Sequence, residues 1–170
     1  PRPMVPGSHT AKVVGPSGEE IWTDQHGRVK VQFPWDRLGK QDDKSSCWIR
    51  ISHMWAGQGW GTLFVPRIGQ EVIVTYLDAN PDRPLITGCV YNAEHATPVN
   101  LPGQSTQSAI RSSSSKGGSA GNELRFEDKK DAEEFYLHAQ KDMRTEVEND
   151  WSMTVIRGHE THTVKQGNRS

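Results

Sequence analysis

His159-Glu160-Thr161-His162 is the stretch of this chain that comes nearest to a metal site. A zinc hydrolase helix needs two histidines four apart with the glutamate between them as general base. Here the histidines are three apart, in a stretch patterned as β-strand, where they point to opposite faces. No catalytic metal is expected; the one ion reading left open is a histidine from each of three chains around a shared axis. The pairs Glu19-Glu20 and Glu133-Glu134 suggest the acid and base of a glycosidase. Adjacent residues on extended chain face opposite ways, and both pairs sit in turn-like surroundings, so they read as solvated charge. Cys47 and Cys89 each fall in a strand pattern and read as small buried hydrophobes; two cysteines alone do not establish a disulfide. No Gly-x-Ser-x-Gly elbow, Cys-His arrangement or phosphate-binding loop is present in the sequence. The residues assign no catalytic, cofactor-binding or metal role.

The elements that would have to position such groups are strands. From Cys47 to Tyr91 apolar and polar residues alternate and each run stops at Gly, Pro or Asn. Ile49 and Ile51, then Leu63 and Val65, then Val72, Val74 and Tyr76, then Leu85 to Val90 mark four short strands. Between the anchoring Trp55 and Trp60, Gly57, Gly59 and Gly61 alternate, which suits a loop needing positive φ or close backbone approach. Pro66-Arg67-Ile68-Gly69 is a short hairpin loop, and Pro81 and Pro84 around Arg83 force a reversal. Ala11–Val14 and the alternating Arg28–Phe33 add two strands ahead of this block. About six strands in this span suit a five-stranded Greek-key barrel of the OB type with one strand added.

Apolar side chains are unevenly shared. Val, Ile, Leu and Phe number 21 in residues 1–92 and 11 in residues 93–170, so only the first part can fill a core of its own. Residues 1–10, with three prolines, read as an N-terminal linker, 11–92 as the barrel, and 93–121, including SSSSKGGSAG, as an extended strap or linker. In 122–170, Leu124 and Phe126, then Phe135 and Leu137, alternate with polar residues as a hairpin with one apolar face. A lone hairpin is marginal in water and needs partners. Val147 and Val155 are eight apart, and Val164 stands three before Gly167 just as Val155 stands three before Gly158. One apolar residue per short strand is not buried within one chain, but three chains around an axis bury it.

Net charge is −1, which gives no electrostatic footprint for a nucleic-acid backbone or an anionic membrane surface. No run of 18 or more apolar residues offers a membrane-spanning helix, and no signal peptide is visible.

The blocks GRVKVQFPWD, WAGQGWG, PRIGQEVIVTYL, NPDRPLITGCVYN and NELRFEDKKDAEEFYLHAQKDM follow one another from about Lys12 to Arg144. In that order they resemble the VgrG spike proteins of bacterial type VI secretion, a region similar to the central spike of contractile phage tails. The resemblance implies an all-β chain: an OB-type barrel, an extended linker, and the start of a trimeric triple-stranded β-helix or β-prism. It implies barrel or interface roles for Trp55, Gly57, Gly59, Trp60, Pro66, Arg67, Gly69, Pro81 and Arg83. A needle core follows from Leu124, Phe126, Phe135, Leu137, Val147, Val155 and Val164. The implied assembly is a homotrimer with a tube of hexamers, a tip-capping protein and effector cargo as partners. It is built in the cytoplasm and driven outward through a target membrane, with no catalysis in this stretch. The alternative from the residues is an OB-fold binding module that stacks single-stranded nucleic acid or a glycan on Trp22, Trp35, Trp48, Trp55 and Trp60.

Overall fold

The computed structural model describes residues 2–167 and divides into two compact units, residues 1–140 and 141–170. Pro1 and residues 168–170, at the outer ends of the first and last expected domains, lie outside the described residues. The first unit holds eight strands and one short 3-10 turn, Leu77–Ala79. Among the described residues no helix is long and apolar enough to cross a membrane.

Five strands make the barrel: β1 (Ser8–Val14), β2 (Lys30–Gln32), β3 (Arg50–Ile51), β4 (Glu71–Tyr76) and β5 (Pro84–Val90). Their order is β2-β1-β4-β5-β3, antiparallel except for the parallel β3–β5 pair. The Val29 and Ile49 backbones then exchange hydrogen bonds of 3.1 and 2.8 Å, joining the β2 end of the sheet to its β3 end. Closure removes the open edges that would leave backbone donors and acceptors unpaired. Alternation does the rest. In β4, Val72, Val74 and Tyr76 point inward while Glu71, Ile73 and Thr75 point outward, and Ala11, Val13, Val29, Val31, Ile49 and Ile86 complete the interior.

Three boundaries differ from those read in the sequence. Ser8 to Thr10, assigned to the linker over 1–10, are the first residues of β1 and pair with Thr75, Val74 and Ile73 of β4. The proline-rich signal ends at Gly7, and β4 is long enough to recruit three more partners. The run Leu63–Val65 is not a strand, so the barrel has five strands and not six. Leu63 and Phe64 are exposed, and the only pairing nearby is the Ala56–Gly61 bridge that pinches off the tryptophan loop. The strap over 93–121 is not all loop. Gln107–Arg111 is β6, the edge of a second sheet with β7 (Glu123–Glu127) and β8 (Glu134–His138) in the order β6-β7-β8. A single large apolar residue, Ile110, gave too little periodicity to mark it. Cys47 and Cys89, read as buried, are free and exposed, because they lie at the ends of the ladder: Cys47 stands two residues before the Val29–Ile49 pairing and Cys89 one before the end of β5.

Candidate assembly interface

The second sheet is an antiparallel meander whose register sorts its side chains sharply. Phe126 lies between Ser108 and Phe135, and Leu124 between Ile110 and Leu137. Period-two alternation therefore puts Ile110, Leu124, Phe126, Phe135 and Leu137 on one face. Phe126 and Phe135 meet edge to face at 5.3 Å. Yet this face is open to solvent, with Phe126 43%, Phe135 64%, Leu137 52% and Ile110 57% exposed. The face is the unusual feature of the unit, since contiguous exposed apolar surface marks an interaction site.

The opposite face is polar and largely paired within the chain, although Arg125 Nε is buried without a partner. The Arg125 guanidinium lies 4.5 Å over the Tyr136 ring and pairs with Glu123 at 2.8 Å and Glu134 at 3.4 Å. At the sheet's end the Thr106 hydroxyl, then the Gln107 amide, donate to Glu127 and hold its carboxyl below the ordinary glutamate range. Within the first unit, among the described residues, one face thus has partners and the other is left largely open.

In the second unit none of residues 141–167 belongs to a strand, so the needle strands expected from the valine spacing are not formed by one chain. Val147, Val155 and Val164 are 44%, 48% and 53% exposed. Gly158 and Gly167 both take positive φ, +94° and +99°, the left-handed geometry that suits glycine at a corner. His162 contacts Glu160, and no group of three or more metal-ligating side chains converges among the described residues.

The remaining sequence candidates sit on three separate barrel loops. Trp55 and Trp60 pack edge to face at 5.1 Å across a loop closed by the Gly57 amide donating to the Trp60 carbonyl at 2.9 Å. Gly61 is required there: its φ is +134°, and a Cβ would lie 2.4 Å from the Trp55 carbonyl oxygen. Gly59 turns at φ +79° in the same loop. Pro66, Arg67 and Gly69 form the turn into β4, where the Gly69 amide donates to the Val13 carbonyl at 2.8 Å. Pro81 and Arg83 lie in the turn before β5, with Arg83 paired to Asp78 at 2.6 Å. These loops hold the barrel's connections and do not converge on one pocket. The residue that sequence reasoning missed is Ile110, which only the β6–β7 register joins to the apolar face.

Comparison with known proteins agrees with this division. Residues 19–91 match the family described as the type VI secretion system/phage-baseplate injector OB domain. Residues 108–170 match the bacteriophage T4 gp5 C-terminal trimerisation domain. The second match contains every residue of the exposed apolar face and all three valines. Three Pseudomonas aeruginosa type VI secretion system spike proteins are similar to the chain. VgrG1a is 58% identical over 94% of this chain and 25% of its own length. VgrG1b is 57% identical over 96% and 22%, and VgrG4b 51% identical over 99% and 20%. The chain thus spans a quarter or less of these relatives. On the order of its two domains and the extent of that identity, VgrG spike proteins of type VI secretion are its close homologues.

Proposed function

We propose that this chain supplies the barrel and the first part of the needle of a homotrimeric puncturing spike. The observation that carries the reading is the solvent-open apolar face of Ile110, Leu124, Phe126, Phe135 and Leu137, lying within the span that matches a trimerisation domain. Three copies that turn these faces toward a common axis bury what one copy exposes. In the second unit Val147, Val155 and Val164 are half exposed and await burial by other copies in the same way, with Gly158 and Gly167 in the geometry of corners. Each of these half-exposed side chains contributes on the order of 1 kcal/mol when its burial is completed. A three-chain prism is stiff because every strand edge is paired, and stiffness is what a puncturing tip requires.

In this reading the work is mechanical and the chain's residues carry no bond chemistry. A tube of hexamers behind the spike, a tip-capping protein on the needle and effector cargo are its partners. Assembly takes place in the cytoplasm, before the spike is driven outward through a target membrane. The oligonucleotide or glycan module has less support: Trp22 stacks on Trp48 and Trp55 packs on Trp60, so those rings are partnered with each other.

Mass in solution tests the proposal. The expected species is three times the 19.0 kDa chain mass. A monomer at all accessible concentrations, with residues 107–138 well protected from hydrogen exchange, would overturn it.

A further inference from the structure

Assembly leaves two features without a role: the adjacent carboxylates Glu19-Glu20 and the polar run Ser112–Gly121. The structure brings them together. Beyond β6 and β7 the ladder continues, with the Ser112 amide donating to the Asn122 carbonyl at 2.9 Å and the Ser114 amide to the Ala120 carbonyl at 2.7 Å. The run is therefore a hairpin, and its tip is Ser115-Lys116-Gly117. Gly121 admits no side chain, since a Cβ would lie 2.0 Å from the Ser112 carbonyl oxygen.

The tip reaches the loop between β1 and β2. The Ser115 hydroxyl donates to Glu20 Oε2 at 2.9 Å, the Lys116 ammonium donates to Glu19 Oε1 at 3.0 Å, and the Gly117 amide donates to Glu20 Oε1. Gly117 holds φ at +70°, a left-handed geometry that an ordinary residue rarely adopts. The receiving loop is itself pinned. The Glu19 amide donates to the Pro16 carbonyl at 3.2 Å, and the Ile68 amide donates to the Glu20 carbonyl at 3.0 Å. Both carboxylates are thus mounted on the barrel, and all three donors on one hairpin tip. Between the end of β5 and the start of β6 the covalent connection, residues 91–106, contains no strand. The contact is a second, noncovalent attachment of the apolar-faced sheet to the barrel.

We propose that Ser115-Lys116-Gly117 and Glu19-Glu20 form a latch that fixes the second sheet to its own barrel and opens when the Glu20 carboxylate is protonated. Charge-assisted hydrogen bonds of this kind need the acceptor ionised. The charged groups facing Glu20 are Lys116 from the hairpin and Arg67 from the turn before β4, with Glu19 adjacent in sequence. The Gly117 amide above all, then the Ser115 hydroxyl, hold the Glu20 carboxyl below its ordinary value; burial opposes them, and Arg67 and Lys116 add to them. The sign follows. A depressed carboxyl keeps the latch fully closed above the ordinary glutamate range and releases it as pH falls through the lowered value.

Trypsin reads the latch directly, because Lys116 must leave Glu19 to be cut. In the chain carrying Glu19→Ala and Glu20→Ala, cleavage after Lys116 is expected to rise at least tenfold relative to cleavage after Lys129 in the β7–β8 turn. An unchanged ratio overturns the latch. Should that variant fail to fold, the unmodified chain decides. The Gly117 amide proton shift should follow one titration whose midpoint lies below the ordinary glutamate value. A resonance that does not move between neutral and acid pH, or that moves with an ordinary midpoint, overturns it. With Cys47→Ser and Cys89→Ser as background, Ser115→Cys with Glu20→Cys should crosslink within one chain on oxidation. A crosslink between chains overturns the attachment to the chain's own barrel.

Discussion

The barrel and the second sheet are made of the same material, short antiparallel strands with alternating apolar residues, and end in opposite states. Val13, Val31, Val72, Val74 and Ile86 are fully buried, whereas Phe126, Phe135, Leu137 and Ile110 lie open. The side chains of the sheet are as apolar as those of the barrel, so hydrophobicity does not separate the two regions. Closure does. The Val29–Ile49 pairing turns five strands into an inside and an outside, while three strands in a row leave the apolar face with no other strand of the first unit to cover it. A sheet that cannot close on itself needs a partner to cover it, which in the proposed trimer is the other copies.

The comparison breaks most visibly if the open face is made polar. Phe126→Asp with Leu137→Asp should reduce the particle from three chains to one by light scattering, while the barrel's melting transition stays in place. Loss of the barrel transition would show that the two regions do not fold independently. Inside the barrel, Ile86→Ala should cost about 2–5 kcal/mol, read from urea denaturation, because a fully enclosed site leaves a cavity. The exposed neighbour Thr87→Ala should cost only about 0.2–1 kcal/mol, the worth of its cross-strand hydroxyl contact with Thr75. In the hairpin beyond the sheet, Gly121→Ala should cost about 1–3 kcal/mol by forcing the backbone apart. Faster hydrogen exchange at Ser112 and Ser114, with β4 unaffected, is its signature.

The smallest effect concerns the turn between β1 and β2. Partial burial pushes the Asp24 carboxyl up, but the Arg28 guanidinium and the Arg28 and His26 amides outweigh it and bring the carboxyl to about 2. Its contribution is fully present above the ordinary value of 3.8 and disappears as pH falls through about 2. Asp24→Asn should flatten that part of the acid melting profile; an identical profile would show that the turn is held by other contacts.

The barrel was legible wherever alternation ran with a dense apolar set, as in Glu71–Tyr76, and where Gly or Pro marked a reversal. It was misread at Leu63–Val65, where alternation is present but no neighbouring strand lies in reach to pair with it. β6 escaped notice for the opposite reason: Gln107–Arg111 pairs fully along β7 but carries one large apolar side chain. Of the open face, Leu124, Phe126, Phe135 and Leu137 were visible as one stripe in the sequence, and Ile110 was not. On spacing the carboxylate pair Glu19-Glu20 reads as solvated charge, and its meeting with Ser115 and Lys116 crosses about 95 residues and has no local trace.

By itself the sequence determined the class of this protein and its imbalance: period-two patterning fixes strands, and a carboxyl-terminal part with few apolar residues has no core of its own to fill. Only the tertiary structure decided which strands close, which face stays open and which polar groups meet. Those outcomes depend on register and on contacts between distant segments, and a local pattern of side chains specifies neither.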